Sequence, residues 1–133
     1  MKEEYHQTQF VTELTEGAIP EHFFIVTGHN PFGERATESE NSEINDVLLA
    51  QIRNSGWHHF PVTGQCQDHA EAGYGVICTR AEAIMLGEEF RQDAIYEVRD
   101  DEVILVACKE GEGKGKEEDQ TIGRWSELRA PLL

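Results

Sequence analysis

Apolar residues in this chain fall into short alternating runs and two helical stripes, and the polar positions between them mark where elements end. Phe10, Thr12 and Leu14 alternate with Val11 and Glu13 as a short edge strand would. Phe23, Phe24, Ile25 and Val26 are apolar on both faces, which suits a covered central strand bounded by Pro20 and by Asn30-Pro31. Over residues 40–55, Ile44, Val47, Leu48 and Ile52 recur at helical spacing; Thr37 and Glu40 have capping-box spacing, and Gly56 stands at the C-terminal stop. Strands are expected at 57–62 and 73–78, with GQCQDHAEA between them as a long polar loop. Thr79 and Glu82 form a second capping box, opening a helix in which Ala83, Leu86, Gly87 and Phe90 share one face. A glycine within such a stripe costs about 1 kcal/mol relative to alanine, so Gly87 predicts a close approach of helix to sheet. Residues 94–98 and 103–107 flank Asp100-Asp101 as the strands of a tight hairpin.

The order strand, helix, strand, strand, helix, strand, strand predicts an α+β domain over residues 1–108. Two helices would pack on one face of a mostly antiparallel sheet, in a ferredoxin-like βαββαβ arrangement with an extra C-terminal strand. That wiring is expected to place the end of the first core strand and the loop between the next two at opposite ends of the sheet, parting Asn30 from Glu71. Residues 109–120, KEGEGKGKEEDQ, hold no apolar group to bury and are expected to form a flexible linker. Residues 121–133 carry Trp125, Leu128, Leu132 and Leu133, enough to dock on the domain, a partner or a second copy.

A length of 133 residues with 38% hydrophobic and 28% charged positions fits one soluble domain with an ordinary core. The longest unbroken apolar run, 23–26, is far below the ~20 residues of a membrane span, and an N-terminus of MKEEYHQTQF predicts a cytoplasmic protein. Three cysteines are too few for a disulfide framework. Twenty-six acids against 11 bases give a net charge of -15, and no three basic residues adjoin, which argues against direct binding to nucleic acid or to an anionic membrane. Solubility is the plain account of this charge; an acidic mimic of nucleic acid is the sharper one and requires its acids on one face.

Thr27-x-x-Asn30-Pro31, Glu40-Asn41, a helix with Leu48, a Gly64 turn, Glu71 before a glycine-containing strand, and Leu86-Gly87-x-x-Phe90-x-Gln92-x-Ala94-Ile95 form a series along the chain. Over about residues 22–108 this series resembles the domain-of-unknown-function family numbered 3293. The resemblance implies a small free-standing bacterial cytoplasmic protein and brings no mechanism with it. His29 departs from the apolar residue expected at that position of the family.

The ligand-binding candidates are Thr27, Asn30, Asn41, Glu71 and Gln92. Carboxamides after a buried strand can hold a ligand through fixed donors and acceptors, and free N–H groups at a helix start favour an anion. Turn formation and satisfaction of loop backbone compete with that role. His58, Cys66 and His69 are weak zinc candidates through the Cys66-x-x-His69 spacing, but adjacent His58 and His59 point oppositely in a strand and too few ligands gather, so no metal and no cofactor are expected. Cys78 and Cys108 sit in apolar strands where thiols are inert, Cys66 in its polar loop near His69 is the one thiol worth testing as a nucleophile, and ordinary loop residues are the plainer account, which leaves catalytic residues unassigned. The expected function is a non-catalytic ligand-binding or protein-interaction module, its partner an unidentified small molecule or protein and its oligomeric state open. The alternatives are a small enzyme acting on a polar metabolite, with Glu71 or Glu40 as base and Asn30 and Gln92 as orienters, and the acidic mimic. An open apolar patch at Trp125 would favour the interaction module.

Overall fold

The computed structural model describes residues 8–30, 35–66, 69–108, 110–111, 115–116 and 118–130. In chain order the elements are β1 (Gln9–Val11), a 3-10 turn (Glu16–Ala18), β2 (His22–Val26), α1 (Glu38–Ser55), β3 (His59–Cys66), β4 (His69–Val76), α2 (Arg80–Glu89), β5 (Ala94–Arg99), β6 (Glu102–Ala107), β7 (Glu110–Gly111), β8 (Gly115–Lys116), β9 (Gln120–Arg124) and α3 (Trp125–Leu128). Seven strands form one antiparallel sheet in the order β1-β3-β4-β2-β5-β6-β9, and β7 pairs with β8 apart from it.

Both helix starts carry the reciprocal caps that their sequences require, Thr37 with Glu40 and Thr79 with Glu82, and Gly56 closes α1 in the left-handed conformation at φ 75°. Alternation along β2 sends Phe24 and Val26 to a core shared with Leu48 and Ile52 of α1 and Ala83 and Leu86 of α2. Phe23 and Ile25 point to the other face, where Phe10, Phe60, Val98, Val103 and Trp125 form a second core. Gly87 lies against the sheet: a Cβ there would stand 2.4 Å from Cys108 Sγ. Asp100 and Asp101, at φ 51° and 67°, make the tight turn between β5 and β6.

The second core sets the shape. Phe10 stacks on Trp125 with ring centroids 5.6 Å apart, and Phe23 meets Trp125 edge-on at 5.3 Å. Phe10 also bridges Arg129, and the Ala130 N–H donates to the Phe10 carbonyl at 2.8 Å. Strand β1 at one edge and the chain leaving β9 at the other therefore meet, and the sheet is a half-barrel curled around the aromatic residues. This corrects the expected ferredoxin-like fold with two helices on one face of the sheet. A third helix covers the opposite face, and β1 and β9 widen the five strands of the expected arrangement to seven. The physical reason is that Phe23, Val98 and Val103 need burial as much as their neighbours do, and curling with Trp125 as a plug supplies it.

The polar stretch expected as a loop is also corrected. Residues 64–66 and 69–72 continue β3 and β4, with Gly64 opposite Glu71 and Cys66 opposite His69. A second ladder from β1, with Gln9 opposite Gln65 and Phe10 opposite Gly64, holds this half of β3 in extended form despite its composition. Trp125 is buried and offers no open patch, whereas Leu132 and Leu133 lie outside the described residues, as do 109, 112–114 and 117 of the expected linker. Among the described residues no helix is long and apolar enough to cross a membrane.

Candidate functional site

Strand β4 runs antiparallel beside β2, with Tyr74 opposite Val26, so the first residues of β4 come alongside the chain that leaves β2. Asn30 and Glu71 are therefore neighbours, and the expectation that they lie at opposite ends of the sheet is corrected. An antiparallel partner necessarily starts where its neighbour ends.

Each residue from Thr27 to Asn30 is fixed by side-chain bonding. Thr27 Oγ1 donates to the Ala72 carbonyl at 2.6 Å and accepts from the His29 N–H at 3.1 Å. Asn45 on α1 accepts from the Gly28 N–H at 3.0 Å and donates to the Ala72 carbonyl at 3.2 Å. A Cβ on Gly28 would stand 2.7 Å from Ile44 Cγ2, so glycine there lets α1 approach. Asn30 adopts φ 48°, a left-handed conformation that asparagine tolerates. Its N–H donates to Asn41 Oδ1 at 2.8 Å; its Oδ1 accepts from Asn41 Nδ2 and from the Ala36 N–H, both at 3.0 Å. Asn30 Nδ2 donates to Glu71 Oε1 at 2.9 Å and lies 3.1 Å from His69 Nε2, which is itself 3.2 Å from Glu71 Oε1. Gln92 Nε2 donates to the carbonyls of His29 and Phe90, each at 3.1 Å.

The structure thus joins Asn30, Asn41 and Glu71 directly. Thr27 anchors the same loop through Ala72, and Gln92 anchors it through His29. Asn30, Asn41, Asn45 and Gln92 are all buried and all bonded, as burial of a carboxamide demands.

Beside this network opens a cleft of about 560 Å³ bordered by His29, Asn30, Arg35, Asn41, Asp46 and His69, with Glu38, Ser42 and Asn45 along α1. Thr27, Glu71 and Gln92 are not among its lining residues and brace the wall instead. Burial holds the His29 imidazole below its usual value, the carboxylate of Glu71 opposing and His69 adding to the effect, so His29 is neutral at neutral pH. Arg35, Ser42 and Asp46 make no side-chain hydrogen bond or ion pair with a described residue.

His58 is exposed, His59 Nδ1 lies 3.0 Å from the Trp57 carbonyl, and the Cys66 side chain lies outside the described residues. Among the described residues no three histidines, cysteines or carboxylates stand close enough to hold a metal ion. Burial, with help from Glu82, pushes the Cys78 thiol up to about 12, which keeps it protonated and unreactive.

Sequence reasoning missed Asn45 and Asp46 as residues of the cleft. One signal was available: Asn41, Asn45, Leu48 and Ile52 are the buried face of α1, and a polar residue at helical spacing within an apolar stripe needs a partner.

No curated protein and no solved structure matches the chain. The family model described as "Protein of unknown function (DUF3293)" matches residues 26–95, more than half of the chain. The match takes in α1, the β3–β4 hairpin, α2 and every residue that borders the cleft. The chain therefore belongs to DUF3293, a family of proteins of unknown function.

Proposed function

We propose that the chain binds a small polar metabolite in the cleft beside Asn30, one carrying a carboxylate together with an ammonium or hydroxyl group. The observation that carries this reading is a division of roles. The buried carboxamides bond to one another and to backbone, while Arg35, Ser42 and Asp46 on the cleft wall make no side-chain hydrogen bond or ion pair with a described residue. A rigid floor with unengaged polar groups above it is the usual construction of a pre-formed ligand site. Arg35 matches a carboxylate through its forked guanidinium, and Asp46 matches an ammonium or hydroxyl group. The net charge of -15 disfavours a polyanion and leaves room for a small zwitterion. The enzyme alternative loses one of its two bases, because Glu40 caps α1 through the Thr37 N–H at 3.3 Å.

Thermal unfolding in the presence of a panel of amino acids, hydroxy acids and polyols tests the reading. A ligand at 100 times its Kd raises stability by about 2.7 kcal/mol, which a melting curve detects readily. The expected result is a rise in Tm with at least one zwitterion, lost in Arg35→Ala and in Asp46→Ala. A panel that leaves Tm unchanged at millimolar concentration, or a rise untouched by both substitutions, overturns the assignment.

A further inference from the structure

The polar atoms Asn30 Nδ2, Glu71 Oε1 and His69 Nε2 stand at the corners of a near-equilateral triangle with sides of 2.9, 3.1 and 3.2 Å. From Nδ2, the directions to the other two corners diverge far less than the two hydrogens of a planar amide, so only one of its bonds is well aligned. The shorter contact is to a carboxylate, and a charge-assisted bond is the stronger of the two. Asn30 therefore donates to Glu71. If His69 Nε2 held a lone pair, that lone pair would face the carboxylate oxygen at 3.2 Å, an unfavourable meeting of two acceptors. A proton on Nε2 turns the same contact into a second hydrogen bond to Oε1. The other ring nitrogen, Nδ1, then carries the lone pair, and no hydrogen bond engages it among the described residues.

We propose that His69 is the proton acceptor of the cleft, with Glu71 and Asn30 as positioning residues that fix its tautomer. The inference deepens the ligand-site reading and rests on it for the identity of the donor, an ammonium or hydroxyl group of the bound metabolite. In the step, the N–H or O–H bond of the ligand breaks and a bond from Nδ1 to that hydrogen forms. The ligand is left as a free amine or an alkoxide, and His69 becomes an imidazolium. The Glu71 carboxylate oxygen lies 3.2 Å from Nε2, the ring nitrogen away from the one that takes the proton. His29 faces the same groups and stays neutral, so it adds no competing charge. Glu71 is not a lining residue, which gives it the orienting position while His69 holds the exposed one.

Two measurements on the full chain test this without any ligand. Nitrogen-15 spectra of the histidine side chains at pH 8 report which ring nitrogen of His69 bears the proton. Carbethoxylation by diethyl pyrocarbonate, followed by mass spectrometry, reports the reactivity of His69 against the exposed His58 in the same molecule. The expected outcome is a proton on Nε2, reaction at Nδ1, and a rate several-fold above that of His58. Glu71→Ala should mix the tautomers and bring the rate down to that of His58. Glu71→Gln, which keeps an acceptor oxygen but not the charge, should preserve the tautomer and lose most of the rate. A wild-type proton on Nδ1, or a His69 rate that neither substitution changes, overturns the proposal. If Glu71→Ala fails to fold, the wild-type tautomer and the Glu71→Gln rate decide. An unresponsive metabolite panel beside the expected His69 results sinks the zwitterion reading alone, so the two failures are distinguishable.

Discussion

Asn41 grips Asn30 twice, accepting from its backbone N–H at 2.8 Å and donating to its side-chain oxygen at 3.0 Å. Both residues are buried, so neither bond can be replaced by free water. Asn41→Ala should lower stability by about 1–3 kcal/mol, the cost of stranding a buried donor and part of an acceptor. Asn41→Asp should cost at least as much, because a carboxylate would face Asn30 Oδ1 where an N–H now donates. Urea unfolding checks both: the midpoint should fall with the slope unchanged, and an unaltered midpoint for Asn41→Ala would remove the structural role assigned to the pair.

Gly87 meets Cys108 so closely that alanine cannot fit without a shift. Gly87→Ala should therefore destabilise by about 1–3 kcal/mol through overpacking, even though alanine gains about 1 kcal/mol in helix propensity. Cys108→Ala in the same chain should recover part of the loss. Simple additivity of the two changes in a double-mutant cycle would show that the contact is not the cause.

The two aspartates of the β5–β6 turn have similar backbone conformations and different partners. Asp101 holds the Ser126 N–H and hydroxyl, each at 2.9 Å, and so fastens the hairpin to the start of α3. Those bonds hold its carboxyl below the usual carboxylate value. The depressed value means that its stabilising effect is present above the ordinary aspartate pKa and is lost as pH falls through the lower folded one. Asp100→Gly should leave Tm level or raise it, because glycine suits φ 51°. Asp101→Gly should lower Tm at neutral pH, with the deficit shrinking in acid; an equal response from the two variants would deny Asp101 its special role.

His29 gives a second handle on pH, acting in the same direction over a higher range. Its folded pKa lies below the ordinary histidine value of about 6.5, so the unfolded chain takes up a proton that the folded chain resists. Stability should fall as pH drops from about 6.5 toward the lower folded value. His29→Gln should flatten that part of the Tm profile between pH 7.5 and 5, and an unchanged slope would place the acid sensitivity elsewhere.

What the sequence disclosed were features with local causes. Thr37 with Glu40 and Thr79 with Glu82 cap helices through bonds spanning three residues, and Gly87 signalled its tight contact by standing where alanine would make a better helix. Phe23 and Phe24 together announced a central strand covered on at least one side. Nothing near them told that the second cover would be Trp125, about a hundred residues onward, or that the sheet would curl to receive it. Polar residues 64–72 lacked alternation, and the ladder from β1 that keeps them extended comes from the other end of the chain. At the site, Asn30, Asn41 and Glu71 were named from residue type, while His29 and His69 became meaningful only once two adjacent strands brought them together.

The bond from Ala130 to Phe10 has a bearing on how the protein resists self-assembly. Strand edges left bare invite other chains to add on, and here one rim is occupied by the chain that returns from the far rim. Arg129 reinforces the closure by donating to the Leu14 carbonyl. Loosening that small clasp would uncover the tryptophan and free the outermost strand in a single event, so fibril-prone species should arise from unlatching there well before the helices melt.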